Sequence, residues 1–157
     1  MTPNSEFMQQ AIALSLESIR SSAGGPYGAV VVKNGEIIGR GMNQVAPLKD
    51  PTAHAEMIAI RAACQHLQHW QLQGCELYTS CEPCPMCMAT VYWAKLDRVY
   101  YANSKEDASE YGFNSGSIYQ EIALPIAERS LPMTQMMPDE AVAAFKEWAS
   151  KTDRLTY

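Results

Sequence analysis

The order of structural signals along this chain predicts a three-layer α/β/α sandwich built on a mixed, five-stranded sheet, folded as a single domain over residues 1–157. Three observations carry that expectation. A chain of 157 residues, 47% hydrophobic and 18% charged, has the size and balance of one domain with its own core. An Asn34-Gly35 pair between two short apolar runs marks a tight antiparallel hairpin near the start. Beyond it, short apolar strands alternate with helical segments, and such crossovers place helices on both faces of a sheet.

The first element spans Asn4 to Arg20, where Phe7, Met8, Ala11, Ile12, Leu14, Ser15 and Ile19 fall on one helical stripe and Asn4 or Ser5 can cap the start. Gly24-Gly25-Pro26 stops this helix. Strands at Ala29 to Val32 and Glu36 to Gly39 flank the Asn34-Gly35 turn. After Asp50-Pro51-Thr52, the Ala-, Ile- and Met-rich run from Ala53 to Leu67 reads as a second helix, and Glu76 to Thr79 as a buried strand. Pro85 suits a first helical position and opens a helix to about Lys95, followed by a strand at Arg98 to Ala102. The remainder reads as helical pieces at Glu106 to Tyr111 and Ser117 to Ala123, a strand near Thr134, and a helix from Asp139 to Ser150.

Composition excludes several function classes. The formal net charge of -5 gives no general attraction for phosphate backbones, which argues against a nucleic-acid partner and for a small molecule. No basic start with an apolar run opens the chain and no stretch reaches the length of a membrane span, so a soluble, cytoplasmic protein is expected. In a reducing compartment five cysteines, an odd number, read as ligands, nucleophiles or packing groups rather than disulfides.

The chemistry gathers at two predicted helix starts. Cys84 and Cys87 flank Pro85 with the spacing of one helical turn, so both sulfurs can grip one ion, and the positive end of the helix favours their thiolates. Cys81 lies outside that turn, in the approach from the strand, and is the poorer ligand; Cys64 and Cys75 read as packing thiols. Of the three histidines, His66 and His69 end a helix in a polar stretch and read as solvated. His54 differs, because Glu56 follows two residues later. Residues two apart on a helix point apart, so the two can share a pocket only if His54 sits at the non-helical start. Three protein ligands, His54, Cys84 and Cys87, leave one tetrahedral position open, the pattern of catalytic zinc. Glu56, not itself a ligand, is then placed to move protons as the catalytic general acid/base. A zinc-folded binding module without turnover is the alternative from another class, but a structural site has no use for an acid that does not ligate. Glu82, between Cys81 and Pro83, is a candidate brace for the site.

His54-Ala55-Glu56 with Pro83-Cys84-Pro85-Met86-Cys87 is the signature of zinc-dependent nucleobase deaminases. With Gly24-Gly25-Pro26-Tyr27-Gly28, Asn43, Tyr92-Trp93-Ala94, Gly112-Phe113, Ile118-Tyr119 and the terminal Tyr157, the sequence resembles the cytidine deaminase superfamily, and within it the small bacterial-type guanine deaminases. The likeness spans nearly the whole chain. It implies one zinc ion per subunit with water or hydroxide as fourth ligand, and hydrolysis of guanine to xanthine and ammonia. It further implies substrate contacts from Tyr27, Asn43, His54, the Ala55 backbone and Trp93. It also implies a homodimer in which the C-terminal helix and tail, residues 138–157, are exchanged so that Tyr157 caps the partner's site. One departure stands out: where these enzymes tend to carry two aspartates after Gly-Phe, this chain has Asn114-Ser115. Either a nearby acid, Glu106, Asp107 or Glu110, takes their place, or the substrate is another one: guanosine, cytosine, isocytosine, a pterin, an aminotriazine or, more remotely, tRNA adenosine.

Overall fold

The computed structural model describes residues 2–155, so the proposed cap Tyr157 lies outside the described residues. The chain falls into two compact units, one ending at Tyr119 and the other starting at Gln120. In the first unit, helix α1 (Ser5–Arg20) is capped by Asn4, whose side chain accepts the Glu6 N–H at 2.9 Å. Strands β1 (Gly28–Lys33) and β2 (Glu36–Met42) pair antiparallel around Asn34 and Gly35. Both turn residues have positive φ, 52° and 83°, as the primed hairpin turn demands. Strand β3 (Cys75–Cys81) pairs antiparallel with β1 and parallel with β4 (Arg98–Asn103). The sheet is mixed, in the order β2-β1-β3-β4.

Alternation along the strands sends side chains into two cores. Val30, Val32 and Tyr78 pack against Phe7, Met8 and Leu14 of α1 on one face. On the other, Ala29, Val31 and Leu77 pack against Ala55, Ala59, Ile60 and Ala63 of α3 (Ala55–Leu67) and Val91 of α4 (Pro85–Trp93). Every residue of β3 is buried, as expected of a strand covered on both sides. The α3 face is a ladder of alanines, and opposite it β2 presents Gly39 and Gly41. A Cβ at Gly41 would run into the Ala55 carbonyl oxygen and lie 2.7 Å from the Ala59 nitrogen. The helix therefore sits on the strand backbone itself. Gly41→Ala is expected to lower stability by about 3 kcal/mol, read by denaturant titration, because neither backbone can yield without moving the helix start.

Among the described residues four strands are present, not five. The segment around Thr134 is irregular and exposed, and Pro132 and Pro138 enclose it, so the backbone donors a ladder needs are missing at both ends. A four-residue helix α2 (Val45–Leu48), ended by Lys49 at φ 51°, was not visible in the sequence because so short a turn has no period. Helices α5 (Lys105–Glu110) and α6 (Gly116–Ala123) follow β4. The second unit holds a 3-10 turn (Ile126–Glu128) and helix α7 (Pro138–Ser150), with Pro138 in its first turn.

Candidate active site

Two helix starts meet beside β3. His54 precedes α3 and Cys84 precedes α4, and both have extended backbones, with ψ of 155° and 169°. Neither side chain caps its own helix. An N-cap residue points away from the helical spiral, which frees His54 to share space with Glu56 in the first turn. Cys87 follows one turn into α4 and is fully buried.

The three donors form a triangle with equal sides: His54 Nδ1 to Cys84 Sγ, Cys84 Sγ to Cys87 Sγ, and Cys87 Sγ to His54 Nδ1 are each 3.6 Å. Tetrahedral zinc, with Zn–S of about 2.3 Å and Zn–N of about 2.0 Å, asks for ligand separations of roughly 3.5–3.8 Å. The residues fit the ion. Two sulfurs and one imidazole are also the donor set zinc prefers, and they leave one position of a four-coordinate ion to a non-protein ligand. Among the described residues, His54, Cys84 and Cys87 are the one set of His, Cys, Asp or Glu with such spacing.

Electrostatics within the triangle are asymmetric. The Cys87 S–H and the His54 ring both stabilise negative sulfur at Cys84, whose pKa is brought down to about 4 against the opposing effect of burial. Cys87 moves up for the complementary reason, since its proton is held by the Cys84 thiolate in a buried setting. His54 is raised by its bond to Cys84. Glu56 is only 4% exposed. Burial, then the Cys84 charge, raise its pKa against the pull of its backbone and of His54, which makes its carboxylate more basic.

His54, Glu56 and Cys84 line a cavity of about 570 Å³, walled also by Tyr27, Asn43, Phe113, Asn114 and Ser115. Tyr27 and Phe113 meet edge to face, ring centroids 5.3 Å apart, and burial pushes the Tyr27 hydroxyl up to about 12, so it stays neutral. Asn43 Oδ1 accepts the Val45 N–H at 3.3 Å, leaving its NH₂ as the group available to a ligand. Ala55 is buried in the first turn of α3 and is not on the wall. Trp93 is 66% exposed at the far end of α4 and is likewise off the wall, because nine helical residues carry it roughly 13 Å along the axis from Cys84. The expected stacking of Trp93 on a ligand is therefore not made within this chain's cavity.

Cys81 ends β3 in a buried place, its S–H 3.6 Å from the Ser104 carbonyl, and stands outside the donor triangle. Cys75 is buried, Cys64 half-buried, and His66 and His69 are exposed. Glu82 does act as a brace. It accepts the Lys105 N–H at 3.1 Å and pairs with its ammonium at 3.5 Å, tying the loop before Cys84 to the start of α5. Lys105 itself lines the cavity, and nothing in the sequence marked it. Glu106, Asp107 and Glu110 do not reach the wall, so Glu56 and Glu82 are its acids. Asp107 is spent in a capping box with Ser104. Asn114 Oδ1 accepts the Gly116 N–H at 3.1 Å, so Asn114 also offers its NH₂. Tyr119 donates its hydroxyl to the Pro83 carbonyl at 3.0 Å and steadies the same loop.

Residues 1–103 match the profile of the cytidine and deoxycytidylate deaminase zinc-binding region. The chain belongs to that deaminase family. Guanine deaminase of Bacillus subtilis (strain 168) is 46% identical over 151 residues, covering 96% of this chain and 97% of that protein. The X-ray structure of guanine deaminase from Bacillus subtilis superposes with a TM-score of 0.96 at 44% identity, with 99% of each chain covered. By contrast, a tRNA-specific adenosine deaminase of Aquifex aeolicus is 49% identical over only 77 residues, 49% of this chain and 51% of that protein. The family likeness to zinc deaminases and the His54–Cys84–Cys87 triangle agree on zinc as the metal of this deaminase.

Proposed function

We propose that this protein hydrolyses guanine to xanthine and ammonia, with zinc held by His54, Cys84 and Cys87 and proton transfer by Glu56. The observation that carries the reaction class is the equal-sided donor triangle with a buried, non-ligating carboxylate in the same cavity. The choice of guanine rests on likeness to a guanine deaminase over 96% of the chain at 46% identity, against tRNA-specific adenosine deaminases that match 49% to 73% of it. Bound zinc supplies Lewis-acid activation of water near neutral pH. Glu56 takes the proton that water gives up and returns it to the departing amino group as the C2–N bond breaks and C2–O forms. The amide NH₂ groups of Asn43 and Asn114 suit the carbonyl and ring-nitrogen acceptors of a purine, and Tyr27 with Phe113 shields its faces from water.

The C-terminal region belongs to the same reading. Val142, Phe145 and Trp148 of α7 are exposed apolar groups, as is Tyr92, and that exposure supports a homodimer with residues 138–157 exchanged. In that assembly Tyr157 and the partner's chain would supply the cover that a single cavity wall lacks. Among the described residues no helix is long and apolar enough to cross a membrane, which accords with work in the cytoplasm.

One feature favours a second reading. Asn114-Ser115 offers a neutral amide and hydroxyl where relatives of this type tend to carry acids, which suits another amino-heterocycle. Ammonia release by the zinc-loaded protein should be measured with guanine, guanosine, cytosine, isocytosine, pterins, aminotriazines and tRNA. Guanine is expected to give a kcat/KM at least about tenfold above the others, with xanthine as product. A triazine or pterin in first place would replace guanine as the substrate, and no turnover of any would leave a zinc-binding module.

A further inference from the structure

We infer that Ser18, on α1 and remote from the metal, is a positioning residue for the substrate end of the cavity. Its side chain is fully buried. Its hydroxyl donates to the Gly25 carbonyl at 2.9 Å and lies 3.2 Å from the Asn43 carbonyl, so one hydrogen is shared between two segments that both line the cavity. Beyond these segments the two stretches of chain meet in the β1–β2 ladder, which begins at Gly28 and Met42. The Tyr27 N–H goes to the Gly25 carbonyl at 2.8 Å, and the Asn43 N–H to the Tyr27 carbonyl at 3.1 Å. Gly24 completes the arrangement, because a Cβ there would collide with Asn43 Oδ1. The glycine loop thus presses on the Asn43 amide from one side while Ser18 pins the backbone of both from beneath.

The consequence is specific to binding. None of the groups Ser18 holds is a metal donor, whereas Tyr27 and Asn43 are the wall groups that face a ring. Removing the hydroxyl takes from the buried Asn43 carbonyl its side-chain donor and leaves the Gly25 carbonyl with the Tyr27 N–H alone, which loosens loop and amide together. Its effect on kinetics rests on the proposed guanine deamination, with the shift falling on KM rather than kcat. Ser15 provides the control. It lies one turn earlier on the same helix, is also buried, and returns its hydroxyl to the Ile12 carbonyl at 2.7 Å, away from the cavity.

The test compares zinc-loaded wild type, Ser18→Ala, Ser18→Cys and Ser15→Ala. Ser18→Ala is expected to raise KM for guanine about tenfold with kcat within about twofold and zinc content unchanged. Ser18→Cys, a weaker donor of similar shape, should fall between it and wild type and serves if the alanine variant does not fold. Amide hydrogen exchange should quicken in residues 23–28 and 42–45 for the Ser18 variants and not for Ser15→Ala. An unmoved KM in an active enzyme, or an equal shift in Ser15→Ala, overturns the role. If wild type does not act on guanine, the proposed function fails, and the exchange comparison alone decides on Ser18.

Discussion

Glu56→Gln should retain stoichiometric zinc and the native fold yet lose ammonia release by about three orders of magnitude. Glutamine keeps the shape and the capacity for hydrogen bonding but cannot accept a proton near neutral pH. General acid–base groups contribute on the order of 10²–10⁴ in rate, and in the proposed reaction one carboxylate would serve both the incoming water and the outgoing amine, which places the expected loss in the upper part of that range. Stability should not fall with it. Glu56 is buried with its carboxylate disfavoured, so a neutral amide removes a desolvated charge rather than a favourable partner. Metal analysis, thermal melting and steady-state kinetics on one preparation separate these effects. Turnover within tenfold of wild type would transfer the proton to another group, and Glu82, the other acid of the wall, would be the first to examine.

The second large effect concerns the metal. Cys84→Ala should abolish both zinc retention and turnover, as should prolonged treatment of the wild type with a strong chelator. Cys81→Ser should keep both. The two cysteines are close in sequence but differ in kind: Cys84 is an equal corner of the donor triangle, while Cys81 is a strand-end thiol bonded to a carbonyl, whose pKa is driven by burial up to about 11. Losing one corner leaves two donors, too few to hold zinc against water at ordinary free concentrations. Removal of the ion should also lower the melting temperature, since any ligand bound only by the folded state stabilises it by mass action. Zinc content of the Cys81 variant decides whether three or four side chains grip the ion.

The metal donors were legible in the sequence because their spacing is a local matter. One helical turn links Cys84 to Cys87, and the His54-to-Glu56 interval makes sense only at a helix start. The hairpin was legible for the same reason, through Asn34-Gly35. What escaped was non-local. Ser18 shows nothing in its own segment, since its partners Gly25 and Asn43 come together only through the packing of α1 on the sheet. Lys105 and Glu82 meet across 23 positions. Gly39 and Gly41 read as weak strand residues until the alanine face of α3 is laid over them. Thr134 failed in the opposite sense: a strand was expected near it, but the segment is irregular and the flanking prolines withhold donors. Trp93, named by family likeness, stands at the far end of α4 and off this chain's own cavity wall.

The bare helix starts have one more consequence. At both α3 and α4 the position that commonly holds a capping serine or aspartate is given to a ligand, and each uncapped start forgoes about 1 kcal/mol. The same two turns carry the catalytic machinery. An ion held by His54, Cys84 and Cys87 would tie the two uncapped starts together, so the same contact would steady the fold locally and serve the site.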